Sequence, residues 1–96
     1  MENIDRKFKI LAVNPVNGKI YTDKNALLFC AKDKAVPAAL RAYREECIRI
    51  GANGYHIQSV ALLIRRVEAF QEEVESRVPD TIEGEIPRCL FGVCVE

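Results

Sequence analysis

A helix-period run too long for the chain that carries it constrains this sequence most. Ile57, Val60, Ile64, Val67, Val74 and Val78 recur at spacings of three, four and seven, behind Asn53 as a candidate cap, and the run meets Pro79, which cannot continue a helix. From Tyr55 to Val78 the predicted helix has about 24 residues, hence roughly 36 Å at 1.5 Å per residue. One domain of 96 residues cannot easily cover such a rod. Leu62, Leu63 and Phe70 widen the apolar face beyond what one partner helix buries, so this helix is expected to pack against another subunit as well as its own core.

A shorter helix precedes it. Val36, Leu40, Tyr43, Cys47 and Ile50 share one face, Pro37 suits the first turn and Gly51 the end, while Arg41, Arg44, Glu45 and Arg49 fall on the flanks or outer face. Further upstream, Phe8, Ile10 and Ala12 alternate with Lys7, Lys9 and Leu11 ahead of Asn14-Pro15-Val16-Asn17-Gly18, and Lys19-Ile20-Tyr21-Thr22 follows, which reads as a hairpin. A turn at Asp23-Lys24-Asn25 leads to Ala26–Ala31, an apolar run of strand length. Beyond the polar stretch 79–85, Ile86 to Val95 is apolar but interrupted by Pro87 and Gly92, so it is expected as an edge strand or as an arm reaching a neighbouring subunit. The expected fold is a single α+β domain over 1–96, with a three-stranded N-terminal antiparallel sheet, two α-helices and a C-terminal strand, in an oligomer.

Composition sets the class. A chain 49% hydrophobic and 29% charged is not intrinsically disordered, and no apolar run is long enough to span a bilayer. Met1-Glu2-Asn3-Ile4-Asp5-Arg6 shows no basic start leading into an apolar stretch, so no secretory leader is expected. The 14 basic and 14 acidic residues cancel, which argues against DNA or RNA as partner. Their distribution is uneven: residues 35–67 hold five Arg against two Glu, and 68–96 hold two Arg against eight acids.

Cys30, Cys47, Cys89 and Cys94 allow three disulfide connectivities, but a reducing compartment and the core-face position of Cys47 favour free thiols. Zinc has poor support from the loose Cys89–Cys94 gap and a single histidine, His56, so no metal is expected. Catalysis needs a nucleophile with its base or paired carboxylates in a pocket; His56 reads as a surface or cap residue, and no glycine-rich phosphate loop is present. No enzyme is expected, and a small phosphodiesterase is disfavoured.

Arginine is the informative class. Eight arginines against six lysines suit a planar or phosphorylated ligand better than solubility alone. Adjacent Arg65 and Arg66 lie on the long helix, Arg44 on the shorter one, and Arg88 sits among Ile86, Cys89, Leu90 and Phe91, where its guanidinium must find an anion, carbonyls or a glutamate of another subunit. Phe91 or Tyr55 can stack on a base. The candidate ligand-binding set is thus Arg88, Phe91, Arg65, Arg66, Tyr55 and Arg44.

The stretches Lys7-Phe8-Lys9-Ile10-Leu11-Ala12-Val13-Asn14-Pro15, Gly18-Lys19-Ile20-Tyr21, Leu28-Phe29-Cys30-Ala31-Lys32-Asp33-Lys34-Ala35-Val36-Pro37, Gly51-Ala52 and Pro79-Asp80-Thr81 resemble small phage proteins of the first Thoeris anti-defence type. The resemblance covers nearly the whole chain. It implies an N-terminal antiparallel sheet, two helices and a terminal strand, assembled from dimers into larger oligomers in the host bacterial cytoplasm. It also implies a sponge, holding cyclic ADP-ribose isomers, and in some members cyclic oligonucleotides, without cleaving them, and it singles out Arg88 for the pocket. The expected partners are therefore a small cyclic nucleotide and further copies of the chain, with no membrane and no cofactor. A different class, a small inhibitor that blocks a host protein through the apolar face of the second helix, competes with this reading.

The cysteine reading is tested directly. Thiol titration of freshly purified protein, unfolded without reductant, is expected to count all four cysteines, and a count of two or fewer would show that disulfides form.

Overall fold

A computed structural model describes residues 2–85. The fold is α+β, with β1 (Leu11–Val13), β2 (Ile20–Thr22), α1 (Val36–Arg49) and α2 (Gly54–Glu73) in chain order. The chain divides into two compact units, one of Met1–Leu28 with Asp80–Glu96 and the other of Phe29–Pro79. The anticipated C-terminal strand lies outside the described residues.

In the first unit β1 and β2 form the antiparallel hairpin, with Leu11 opposite Thr22, Ala12 opposite Tyr21 and Val13 opposite Ile20. Its loop is closed by its own polar side chains. Asn14 Oδ1 accepts the Val16 N–H at 2.9 Å and Asn17 Oδ1 the Lys19 N–H at 2.9 Å, while Gly18 takes φ 74°, a conformation other residues rarely adopt. Three ladder pairs and an exposed Leu11, Val13 and Ile20 give this sheet little packing.

Its order comes instead from two aspartates. Asp5 is the one charged residue buried among those described, 8% exposed. Its Oδ1 accepts the N–H groups of Lys7 (2.9 Å) and Phe8 (2.6 Å), and its Oδ2 accepts that of Leu28 (2.8 Å). The backbone carbonyl of Asp23 takes the N–H groups of Ile4 and Asp5 at 2.8 and 3.0 Å, and the Asp23 carboxylate takes that of Ile10 at 3.2 Å. Burial alone would push the Asp5 pKa up, but the amides of Phe8, Leu28 and Lys7 outweigh it and hold the carboxyl below its ordinary 3.8. Lys7 Nζ reaches the Asp80 carbonyl (2.7 Å) and the Glu85 carboxylate (3.3 Å).

This network corrects two strand expectations. The first strand begins at Leu11 rather than near Phe8, because the Lys7 and Phe8 amides are given to Asp5 instead of to a ladder. The apolar run Ala26–Ala31 forms no third strand: the Leu28 amide is bonded to a side chain, and a turn with Asp33 N–H on the Cys30 carbonyl (3.1 Å) follows.

The second unit is a helical hairpin. Val36 and Cys47 of α1 meet Val60, Ile64 and Val67 of α2 in its core, as the periodicity requires. Cys47 and Cys30 are free. Asp33 Oδ1 accepts the Ala35 N–H (2.7 Å) just before α1, and Pro37 occupies its first turn. Past Arg49 the chain makes a Schellman end, in which the Gly51 N–H reaches the Ile48 carbonyl (3.2 Å), the Ala52 N–H reaches the Cys47 carbonyl (2.9 Å) and Gly51 takes φ 81°. Asn53 then caps α2, its Oδ1 accepting the His56 N–H at 2.8 Å.

Helix α2 has 20 residues and stops at Glu73, short of the expected Val78. Its last turn carries Glu72 and Glu73 and no base, placing negative charge on the negative end of the helix dipole. A competing arrangement takes the chain beyond it. Arg77 donates its N–H to the Lys32 carbonyl (2.7 Å) and accepts that of Lys34 (2.9 Å), forming a parallel bridge with Asp33, and Gln71 Nε2 donates to the Ala31 and Asp33 carbonyls. Val74 and Val78 are therefore exposed, at 68% and 72%, instead of extending the core stripe.

Two outcomes follow for stability. Asp5→Ala should cost about 2 kcal/mol at neutral pH. Because the folded-state pKa of Asp5 is lowered, its contribution is present above the ordinary carboxyl range and disappears as pH falls through the folded value. Urea titrations down the pH scale should thus show the two proteins converging in acid. Gly51→Ala, forced into positive φ, should lose about 1 kcal/mol, whereas Gly54→Ala, at the first position of α2 with open space around it, should be neutral or stabilising. Equal effects of the two glycine substitutions would contradict the helix-end geometry.

Candidate functional site

The helical hairpin brings Tyr43 of α1 to His56 in the first turn of α2. Tyr43 Oη lies 3.0 Å from His56 Nε2, and the rings meet edge-on at 5.9 Å and 77°. The Cys47 thiol, one turn further along α1, pushes the Tyr43 phenol above its ordinary 10.0, first by a side-chain hydrogen bond and then by charge repulsion and burial. The phenol thus stays protonated at neutral pH and can donate to an unprotonated Nε2. The sequence reading had placed Tyr43 on the core stripe, yet it is half exposed. His56 is, as expected, an exposed residue of the capped first turn.

Arginine pairing divides the helices. Arg41 bonds Glu68 at 2.5 Å, joining α1 to α2, and Arg49 forms a two-pronged pair with Glu46. That pair raises the pKa of Arg49 and lowers that of Glu46. Among the described residues Arg44, Arg65 and Arg66 have no acid partner. Arg44 is not on the outer face, as the spacing suggested, but half-buried, and its Nε is enclosed with no acceptor. A buried guanidinium nitrogen without a partner is unfavourable for the fold and suits an acceptor supplied from outside.

The remaining expected site residues are not gathered around it. Tyr55 is 88% exposed with no aromatic partner, and Arg65 and Arg66 are exposed and diverge by about 100° around α2. Tyr55 is about 15 Å along the helix axis from Arg65, so one small ligand on a single chain does not touch both ends. Arg88 and Phe91 lie outside the described residues.

The first unit holds a concavity that the sequence reading missed, an open groove of about 630 Å³ lined by Lys9, Ile10, Leu11, Thr22, Asp23 and Lys24. Its signal was present as lysines flanking both strands of the hairpin. The Asp23 carboxylate in the same wall makes it less suited to a multiply charged anion than two lysines alone would be. Among the described residues no three His, Cys, Asp or Glu side chains cluster to hold a metal ion, and no helix is long and apolar enough to cross a membrane. Comparison with known proteins finds no matching family model, no similar curated protein and no similar solved structure.

Proposed function

We propose that this chain is a phage anti-defence sponge, an oligomer that binds cyclic ADP-ribose isomers or cyclic oligonucleotides in the host bacterial cytoplasm and withholds them uncleaved. The observation that carries the reading is Arg44. Its enclosed, unpartnered Nε on α1 destabilises the free protein and gains an acceptor when a phosphate or carbonyl oxygen arrives. Arg88 and Phe91, by the family resemblance and by chemistry, complete such a pocket from the C-terminal segment, and Tyr55 offers an exposed ring to a base. Holding the ligand between subunits accounts for how residues dispersed over one chain act together.

The competing reading, an inhibitor that masks a host protein, draws on Leu62 and Leu63 of α2, both large, apolar and about half exposed. Salt separates the two. Phosphate recognition weakens steeply as ionic strength rises, and an apolar interface does not.

Arg44→Met tests the proposal, since it keeps the aliphatic stem and removes the orphaned nitrogen. Folding stability should hold or rise, because no internal partner is lost. Affinity for the cyclic nucleotide should fall about ten-fold to over a hundred-fold, corresponding to roughly 1.5–3 kcal/mol for a charge-assisted hydrogen bond. Arg88→Ala should show a similar loss. Calorimetry against cyclic ADP-ribose isomers and cyclic oligonucleotides, with mass spectrometry of heat-released ligand, decides the matter. Unchanged affinity in folded Arg44→Met removes that residue from the site, and a cleaved ligand overturns the sponge reading.

A further inference from the structure

Helix α2 carries a second pattern on the side away from its core. Val60, Ile64 and Val67 set the inward direction. At about 100° per residue, Leu62 and Ala69 point the opposite way, with Tyr55 one heptad earlier. Leu62 is 52% exposed and Ala69 is exposed. On one flank of this seam stand Arg65 and Glu72, and on the other Arg66 and Glu73, each pair seven residues apart and all four exposed.

None of the four forms an ion pair among the described residues. Seven residues is about 10.5 Å of helix, too far for Arg65 to reach Glu72 or Arg66 to reach Glu73 in the same chain. The one acid within four residues of either arginine, Glu68, is engaged by Arg41, and the nearest base to the two glutamates, Arg77, is engaged by Glu75. Two arginines and two glutamates are thus left in a seven-residue repeat with no local use for it.

We infer that this face pairs with α2 of a second copy of the chain, antiparallel, about a two-fold axis through Ala69. In that arrangement each flank faces its own counterpart. Arg66 comes level with Glu73 of the partner subunit, and Arg65 with Glu72 of the partner subunit, within about 1.5 Å along the axis. The symmetry doubles these to four ion pairs. Parallel in-register pairing sets arginine against arginine and glutamate against glutamate, so the charge pattern also excludes the wrong orientation. The small side chain of Ala69 at the crossing lets the helices approach closely. Leu62 falls opposite position 76 of the partner subunit, between the exposed Val74 and Val78, which supplies apolar cover at both ends. This assigns Arg65 and Arg66 to assembly instead of to ligand, and it does not rest on the identity of what the protein binds.

Sedimentation equilibrium of the full-length chain at low and high salt tests the pairing, with circular dichroism to verify folding. The wild type should approach twice the 10.8 kDa chain mass at low salt and dissociate as salt is added. Arg65→Glu/Arg66→Glu makes the seam all acidic, and Glu72→Arg/Glu73→Arg makes it all basic. Each should weaken self-association about ten-fold or more. An equal mixture of the two should form a heterodimer, and the chain carrying all four reversals should regain the wild-type behaviour. A monomeric wild type at tens of micromolar, reversal variants that associate as the wild type does, or reversed chains that fail to associate when mixed would each overturn the inference. None of these outcomes bears on Arg44→Met calorimetry, so failure of the seam and failure of the ligand reading are distinguishable.

Discussion

The carboxylate of Asp5 organises the N-terminal unit. Three backbone amides from two separate stretches converge on it, those of Lys7 and Phe8 beside it and that of Leu28 far along the chain. A buried charge is tolerated when every lone pair has a donor, and here the donors prevail strongly enough to keep the group ionised against the effect of burial. The entry to β1, the path of residues 26–28 and the absence of a third strand all follow from this one acceptor. A unit whose buried apolar content among the described residues is Ile10 alone depends on such polar ties more than a well-filled core would.

The second unit is built by the opposite means. Its helices meet through Val36, Cys47, Val60, Ile64 and Val67, and its polar groups work at the ends: Asn53 on His56, Gly51 in its left-handed turn, Gln71 on the carbonyls ahead of α1. Core contacts fix which faces meet, and end contacts fix where each helix stops. The orphaned Arg44 is the exception to this economy. A nitrogen held without a partner in an otherwise satisfied unit points outward, to chemistry that the fold does not supply.

What was legible in the sequence was local. The 3.6-residue period marked both helices, Gly51 and Asn53 marked the turn between them, and Asn17-Gly18 marked the hairpin, because each signal is carried by neighbours in the chain. The errors were long-range. Nothing local to Leu28 announces that a side chain 23 residues earlier will take its amide. Val74 and Val78 continue the helical period perfectly well, but the bridge of Arg77 to Lys32 and Lys34 outweighs a helix end already disfavoured by Glu72 and Glu73. Arg44 was legible as a cation and not as a half-buried one, since its enclosure depends on how the two helices pack. Arg65 and Arg66 stood out by composition, while the distance of Tyr55 from them emerges only when all are placed on one rod.

The exposed face of the β1–β2 hairpin has a consequence for how the chain must be handled by the cell. Among the described residues neither strand has a second neighbour, and Leu11, Val13 and Ile20 lie open beside those unpaired edges. A growing or refolding polypeptide with such a surface is a template for cross-β growth. Lys9 and Lys19 flank the two strands, and Pro15 interrupts the backbone between them. Residues of these kinds act as gatekeepers against aggregation, repelling identical strands and denying them a continuous ladder. Neutralising Lys9 and Lys19 together would therefore be expected to reduce soluble yield before it altered anything the folded protein does.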